Sequence, residues 1–176
     1  MSQLLEEILS RNNMMLAYKR VVANKGAGGV DGISTEDVKQ HLTENWEKIR
    51  EQIRNRKYKP SPVRRVEIPK PNGGVRNLGI PTVVDRIIEQ AIAQRLTPMC
   101  EPLFSENSYG FRPNRSCETA IVKLLECLNA GYEWIVDIDL EKFSDTVPQD
   151  RLMSLVQNII HDGDTESLIQ KYLHRG

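Results

Sequence analysis

Two aspartates, Asp137 and Asp139, close the segment Trp134-Ile-Val-Asp-Ile-Asp139, and Glu141 and Asp145 follow within six residues. Side chains alternate along a strand. Trp134, Val136 and Ile138 would therefore face one way, and Ile135, Asp137 and Asp139 the other. Carboxylates gathered at the end of a hydrophobic strand suit a hard, oxygen-seeking cation such as Mg²⁺. A pair of such ions can hold the attacking and leaving oxygens of a phosphoryl transfer. The same aspartates also fit a solvated strand end, so the spacing alone leaves both readings open.

A second feature is electrostatic. Between Lys48 and Arg76 the chain carries ten basic residues and two acidic ones, a net +8 over 29 residues, although the whole chain is neutral. A phosphate backbone meets the field near a patch, not the net charge, so a neutral protein with one concentrated basic segment can bind a polyanion. A solvated helix face followed by a solvated hairpin is the competing reading.

These residues need elements to position them. Ser10 is placed to cap a helix over roughly 11–24, with Met15, Leu16, Val22 and Ala23 among its apolar positions. Four glycines between Gly26 and Gly32 make the next stretch a loop. Ser34 and Asp37 read as a capping box for a short helix. A second helix spans about 44–56, with Trp46, Ile49 and Ile53 on one stripe. Residues 63–68 and 75–80 read as the arms of a β-hairpin, joined by Pro69-Lys-Pro-Asn-Gly-Gly74 with Asn72-Gly73 at the turn. Pro81 is placed at N1 of a long apolar helix that Pro98 closes. Further helices are expected over 117–128, from Pro148 to about Ile160, and after the Asp162-Gly-Asp164 turn to Leu173, with a strand over 134–139.

Composition narrows the class. Hydrophobic residues make up 39% of 176, ordinary for a globular chain. No apolar run reaches the roughly 18–20 residues that span a bilayer. The N-terminus carries no secretory pattern. Cys100, Cys117 and Cys127 form no CxxC pair and read as reduced cytosolic thiols, buried or nearly so.

The longer words are more specific. Arg65-Val-Glu-Ile-Pro-Lys-Pro-Asn-Gly-Gly-Val-Arg-Asn-Leu-Gly-Ile-Pro-Thr-Val-Val-Asp-Arg-Ile-Ile-Glu-Gln-Ala-Ile92 resembles the first block of group II intron reverse transcriptases. Ser108-Tyr-Gly-Phe-Arg-Pro-Asn-Arg-Ser116 resembles the second. Val136-Asp-Ile-Asp-Leu-Glu-Lys-Phe-Ser-Asp-Thr-Val147 resembles the third, polymerase motif A. Gly29-Val-Asp-Gly32 resembles the N-terminal extension block. Four blocks in the family's order cover the chain from about residue 10 to its end.

The resemblance implies an α+β fold: a largely helical fingers region with an antiparallel β-hairpin, and the start of a palm sheet. It divides the chain into an N-terminal extension with RNA-binding helices (1–60), the fingers with the basic hairpin and core helices (61–130), and a partial palm with motif A (131–176). It puts Asp139 at the catalytic metal position with the Leu140 backbone carbonyl beside it, and Mg²⁺ as the ion; Asp137 would support them. Arg64 and Lys70, with Arg76 across the hairpin, match residues that contact the nucleotide triphosphate. Ser144 stands at the sugar gate, where the family carries an aromatic residue that excludes a 2′-hydroxyl, so selectivity for deoxynucleotides is put in question. Arg86, Arg112 and Arg115 resemble residues around the template. Together with Arg50, Arg54, Arg56, Lys57 and Lys59 they make up the expected RNA-binding set.

The implied partners are group II intron RNA, an RNA template with a DNA primer, and deoxynucleoside triphosphates, in a bacterial cytoplasm and without a membrane. Apolar surface on an incomplete palm would also favour a homodimer. The family's second metal motif is missing, and no Asp-Asp pair occurs anywhere. The expectation is therefore a truncated polymerase that is inactive alone. An RNA-binding maturase module, or a retron- or Cas-associated reverse transcriptase, are the alternatives.

Overall fold

The computed structural model describes residues 2–71, 73–140 and 143–175, with the backbone alone at 144 and 145. Helix α1 (Gln3–Ile8) has no counterpart among the expected elements. Ser2 caps it by accepting from the Leu5 N–H, and Leu5 and Ile8 are fully buried. Helix α2 (Arg11–Ala23) begins after Ser10 as expected, but Ser10 Oγ turns back to donate to the Glu7 carbonyl at 2.8 Å. The face that α2 buries is Asn13, Met14, Ala17 and Val21; Met15 and Leu16, expected among the apolar positions, are exposed.

The two helices expected between Ser34 and Arg56 are one. Ser34 and Asp37 close a capping turn, in which Asp37 N–H donates to Ser34 Oγ at 3.1 Å. Helix α3 (Val38–Arg54) then runs unbroken. Its stripe is the expected one: Ile53 is buried, and Trp46 and Ile49 pack against the core.

Strands β1 (Arg64–Pro69) and β2 (Val75–Ile80) form the antiparallel hairpin, with Arg64 opposite Ile80 and Pro69 opposite Val75. Gly73 takes a left-handed φ of +86° at the turn; Asn72 lies outside the described residues. Helix α4 (Val83–Cys100) follows. Its cap is Thr82, which accepts from Asp85 N–H, so Pro81 stands before the cap and not at N1. Pro98 does not end the helix. It sits in the last turn, where losing one donor is tolerable, and Thr97 Oγ1 donates to the Ala93 carbonyl at 2.7 Å. The chain leaves α4 through a 3₁₀ turn at Glu101–Leu103.

α4 is the axis of the packed core. Val83, Val84, Ile87, Ile88, Ala91 and Ile92 are buried, and α1, α2, α3 and α7 (Gln149–Ile160) all pack against it. Helix α8 (Gly163–Leu173), capped by Asp162, packs on α1 and α7 and brings Leu168 into the same cluster.

One fully buried carboxylate ties these pieces together. Asp85 accepts from Tyr58 Oη at 2.7 Å, Thr82 Oγ1 at 2.8 Å, Ser61 N–H at 3.0 Å and Tyr172 Oη at 3.2 Å. Arg175 lies 3.9 Å away and pairs with Glu89 at 2.8 Å. Burial pushes the Tyr58 and Tyr172 hydroxyls well above the usual tyrosine range, so both remain protonated donors.

Helix α5 (Cys117–Asn129) has a complete capping box between Ser116 and Thr119, but it buries none of its residues. The strand expected over 134–139 does not form. Trp134 is 93% exposed and Val136 82%. A strand is held by ladder hydrogen bonds to a neighbour, and among the described residues the hairpin is the only sheet. In place of the expected start of a palm sheet is a segment without regular secondary structure, followed by the short helix α6 (Phe143–Thr146). Cys117 is exposed and the other two cysteines are half-buried, where burial was expected.

Candidate nucleotide and RNA interface

The hairpin register decides which basic residues share a face. Cross-strand partners lie on the same side of a sheet. Arg64, Val66 and Ile68 therefore share one face with Arg76, Leu78 and Ile80. The pairing extends one step past the strands, where Lys70 N–H donates to the Gly74 carbonyl at 2.7 Å. Lys70 continues the alternation onto the face of Arg76, close to the tip. Arg64 is on that face too, but four residues back from Arg76's partner Ile68, roughly 13 Å along the strand. The tip pair is thus Lys70 with Arg76, and Arg64 stands at the base. Among the described residues, none of the three side chains has a hydrogen bond or ion pair with the rest of the chain.

The base of the hairpin meets the glycine loop. A Cβ on Gly29 would come within 2.6 Å of Thr82 Cα, so only glycine permits this close approach. Gly32 turns the chain with φ +70°. Arg86 holds the loop from α4, donating from Nη2 to the Ala27 carbonyl at 2.7 Å while packing on Gly26.

The basic segment divides into committed and uncommitted charges. Arg54 grips Glu6 through Nε at 2.9 Å and Nη2 at 2.5 Å, joining α3 to α1; this hydrogen bond raises its already high pKa. Arg56 donates to Asp164 at 2.7 Å and holds that carboxyl below the usual aspartate range. Arg50 lies 3.7 Å from Glu47 on its own helix. Lys48, Lys57 and Lys59 are exposed, and their side chains have no partner among the described residues. Burial lowers the Lys171 pKa, with Lys59 as the next cause; Lys171 donates to the Tyr58 carbonyl at 3.1 Å.

Arg112 and Arg115 organise the loop between the 3₁₀ turn and α5. Arg112 binds Glu101 at 2.7 Å, donates to the Ser108 carbonyl at 3.0 Å and lies over the Phe104 ring. Arg115 donates to the Glu106 carbonyl at 2.7 Å and lies over Tyr109. Two arginines absent from the expected set, Arg20 and Arg95, line a cleft between α2 and α4. The signal for Arg20 was a four-residue spacing on α2, Asn12, Leu16 and Arg20, which places a charge at the end of one helical face; Arg95, on α4, carried no such signal.

Asp137, Asp139 and Leu140 lie on the exposed segment that precedes α6. Glu141 and the side chains of Ser144 and Asp145 lie outside the described residues. Carboxylates and a backbone carbonyl are the right kind of donor for a hard cation. Their number falls short of a closed coordination shell, since no group of three or more candidate ligands comes together among the described residues. No helix among the described residues is long and apolar enough to cross a membrane.

Comparison with known proteins supplies the wider frame. Residues 68–175 match the family model described as reverse transcriptase (RNA-dependent DNA polymerase), whose members generally use divalent metal ions. The chain is 36% identical over 166 residues to Protein YkfC of Escherichia coli K12, covering 91% of this chain and 44% of that protein. It is 36% identical over 162 residues to the group II intron-encoded protein LtrA of Lactococcus lactis, covering 92% of this chain and 27% of LtrA. It is 31% identical over 93 residues to nuclear intron maturase 1, mitochondrial, of Arabidopsis thaliana, covering 53% of this chain and 13% of that protein. The chain thus spans less than half the length of these relatives. The match over 68–175, which takes in the hairpin, α4 and the motif A segment, shows that the chain belongs to the reverse transcriptase family, with group II intron-encoded proteins and intron maturases among its relatives.

Proposed function

We propose that this chain is the fingers and the leading part of the palm of an RNA-directed DNA polymerase that also binds intron RNA as a splicing maturase. The observation that carries the nucleotide half is the tip of the hairpin, where Lys70 and Arg76 share a face with no internal partner. Lys70 would meet a triphosphate as a compact charge and Arg76 as a two-pronged donor. Arg64, farther down the same face, would reach a neighbouring phosphate. Asp139 and the Leu140 carbonyl would hold Mg²⁺ together with donors that the described residues do not supply, and Ser144 would lie beneath the sugar. Mg²⁺, when bound, would stabilise charge on the attacking and leaving oxygens.

The RNA half rests on Lys48, Lys57 and Lys59, exposed and uncommitted around the end of α3. Arg50, Arg54, Arg56, Arg86, Arg112 and Arg115 would contribute field and would position the loops that meet the strand. In a bacterial cytoplasm the partners would be intron RNA, a primed RNA template and deoxynucleoside triphosphates. The exposed apolar residues of α5 would favour a homodimer of the isolated chain.

Primer extension with the purified chain, Mg²⁺ and deoxynucleotides is expected to give no product, because carboxylates from a second segment are needed. Triphosphate binding by equilibrium dialysis should nevertheless be present, and Lys70→Ala with Arg76→Ala should abolish it. Unchanged binding in that double variant would refute the assignment of the tip.

A further inference from the structure

We propose that the cleft between α2 and α4 is a separate binding site for single-stranded RNA, taking a backbone phosphate between Arg20 and Arg95 and a base on Phe111. The proposal rests on the reading that the chain binds RNA, and it names a surface away from the hairpin. The cleft has a volume of about 690 Å³ and follows the C-terminal half of α4. Three arginines and no acidic residue line it. The charge of Arg112 is met by Glu101, but Arg20 and Arg95 have no ion pair among the described residues.

Two polar atoms in the cleft wall are unsatisfied. Arg95 Nε is buried without a hydrogen-bond partner, and so is Gln94 Oε1. The Gln94 amide is fixed, because Nε2 donates to the Asn13 carbonyl at 3.1 Å and to Asn13 Oδ1 at 2.8 Å. Its oxygen is therefore held as a lone acceptor on the turn of α4 that also carries Arg95. A single-stranded polyanion suits this lining, its phosphate meeting the terminal guanidinium nitrogens of Arg20 and Arg95. Phe111, on the third wall, is fully exposed at 111% and has a φ of +56°, a conformation bulky residues rarely adopt. A ring held out in this way is a stacking platform for an unpaired base.

The test is fluorescence anisotropy of the purified chain with a short labelled oligoadenylate across a salt series. Arg20→Ala with Arg95→Gln should weaken binding and lower the slope of log K against log salt by about 0.7, one single-strand phosphate's worth. Phe111→Ala should weaken binding about five- to one-hundred-and-fifty-fold and leave that slope unchanged. Arg20 is exposed, so Arg20→Glu alone gives a folded variant with a larger loss than Arg20→Ala, even if the Arg95 change disturbs packing.

Lys48→Ala, Lys57→Ala and Lys59→Ala combined report on RNA binding in general. Loss in that variant with wild-type binding in the cleft variants overturns the cleft alone. Unchanged binding in both sets also overturns the cleft, whereas no binding of the oligoadenylate by the parent chain overturns RNA binding itself. Full displacement by adenosine monophosphate at equal nucleotide concentration would show a mononucleotide pocket and also overturn the proposal.

Discussion

α4 and α5 are both apolar helices, yet they meet opposite fates. α4 buries seven residues and receives four other helices. α5 buries none, and Ile121, Val122 and Leu125 are more than half exposed. Local chemistry does not separate them. Both have a side-chain N-cap, Thr82 in one and Ser116 with a full capping box in the other. What differs is the supply of partners. α1, α2, α3 and α7 present complementary apolar faces to α4. The described residues offer no such face to α5 or to the 132–140 segment. A helix can be specified by its own caps and propensities, whereas burial needs a second surface.

Two aspartates test this contrast most sharply. Asp85→Ala would leave Tyr58, Tyr172, Thr82 and the Ser61 N–H without their acceptor and Arg175 with Glu89 as its one carboxylate partner among the described residues. Breaking one side of a buried charged network costs about 3–5 kcal/mol. Asp139→Ala, on the exposed segment, should change stability by no more than about 0.5 kcal/mol. Urea denaturation of the two variants measures both. Similar costs would mean that the segment around Asp139 is packed in solution.

The apolar counterpart is Ile88→Ala against Leu125→Ala. Ile88 is 0% exposed and should cost about 2–5 kcal/mol, the usual range for truncation in a core. Leu125 is 51% exposed and should cost well under half as much. If Leu125→Ala proves as costly, α5 has found a partner, and sedimentation should then reveal a dimer that the variant loses.

The same division explains what could be read from sequence. The hairpin and the starts of α7 and α8 were legible because their signals are local: turn residues after β1, Pro148 before one helix and the Asp162-Gly-Asp164 turn before the other. The strand over 134–139 was misread for a physical reason. Its alternation is genuine, but alternation specifies a face only when a neighbour pairs with the strand. The contacts of Arg54 and Arg56 were illegible as well. Their partners, Glu6 and Asp164, are 48 and 108 residues away, and charge spacing along a chain cannot report such pairs. The hairpin tip is an intermediate case. Sequence named Lys70 and Arg76, and only the register separated them from Arg64.

Committed and uncommitted charges should behave differently in solution. Arg54→Ala breaks a two-pronged, partly buried pair and should lower stability by about 1 kcal/mol. Lys57→Ala should leave stability unchanged and lower the RNA salt slope by about 0.7. Thermal melts and binding titrations on both variants separate the two effects. A stability loss for Lys57→Ala with an unchanged salt slope would reverse the assignment.

The smallest effect expected is the acid dependence of the packed region. Asp164 donates no proton to its partners; it accepts from Arg56 and, at 3.0 Å, from the Ser2 N–H, and these contacts depress its pKa, Arg56 foremost. A carboxyl whose folded pKa lies below its unfolded value contributes stability above the unfolded value, about 3.9 for aspartate, and loses it as pH falls through the folded one. The contribution should therefore be intact from neutral pH to about pH 4 and decline below that. Arg56 is largely exposed, so solvent screens the pair and the amplitude should be small. Asp164→Asn should remove this part of the acid slope and leave the slope at higher pH untouched. The measurement is the urea midpoint of parent and variant between roughly pH 3 and 7. Parallel curves over the whole range would mean that Arg56 and Asp164 do not pair in solution, and that Leu168, the Lys171 bond to the Tyr58 carbonyl and the Asp85 network hold α8 to the core without them.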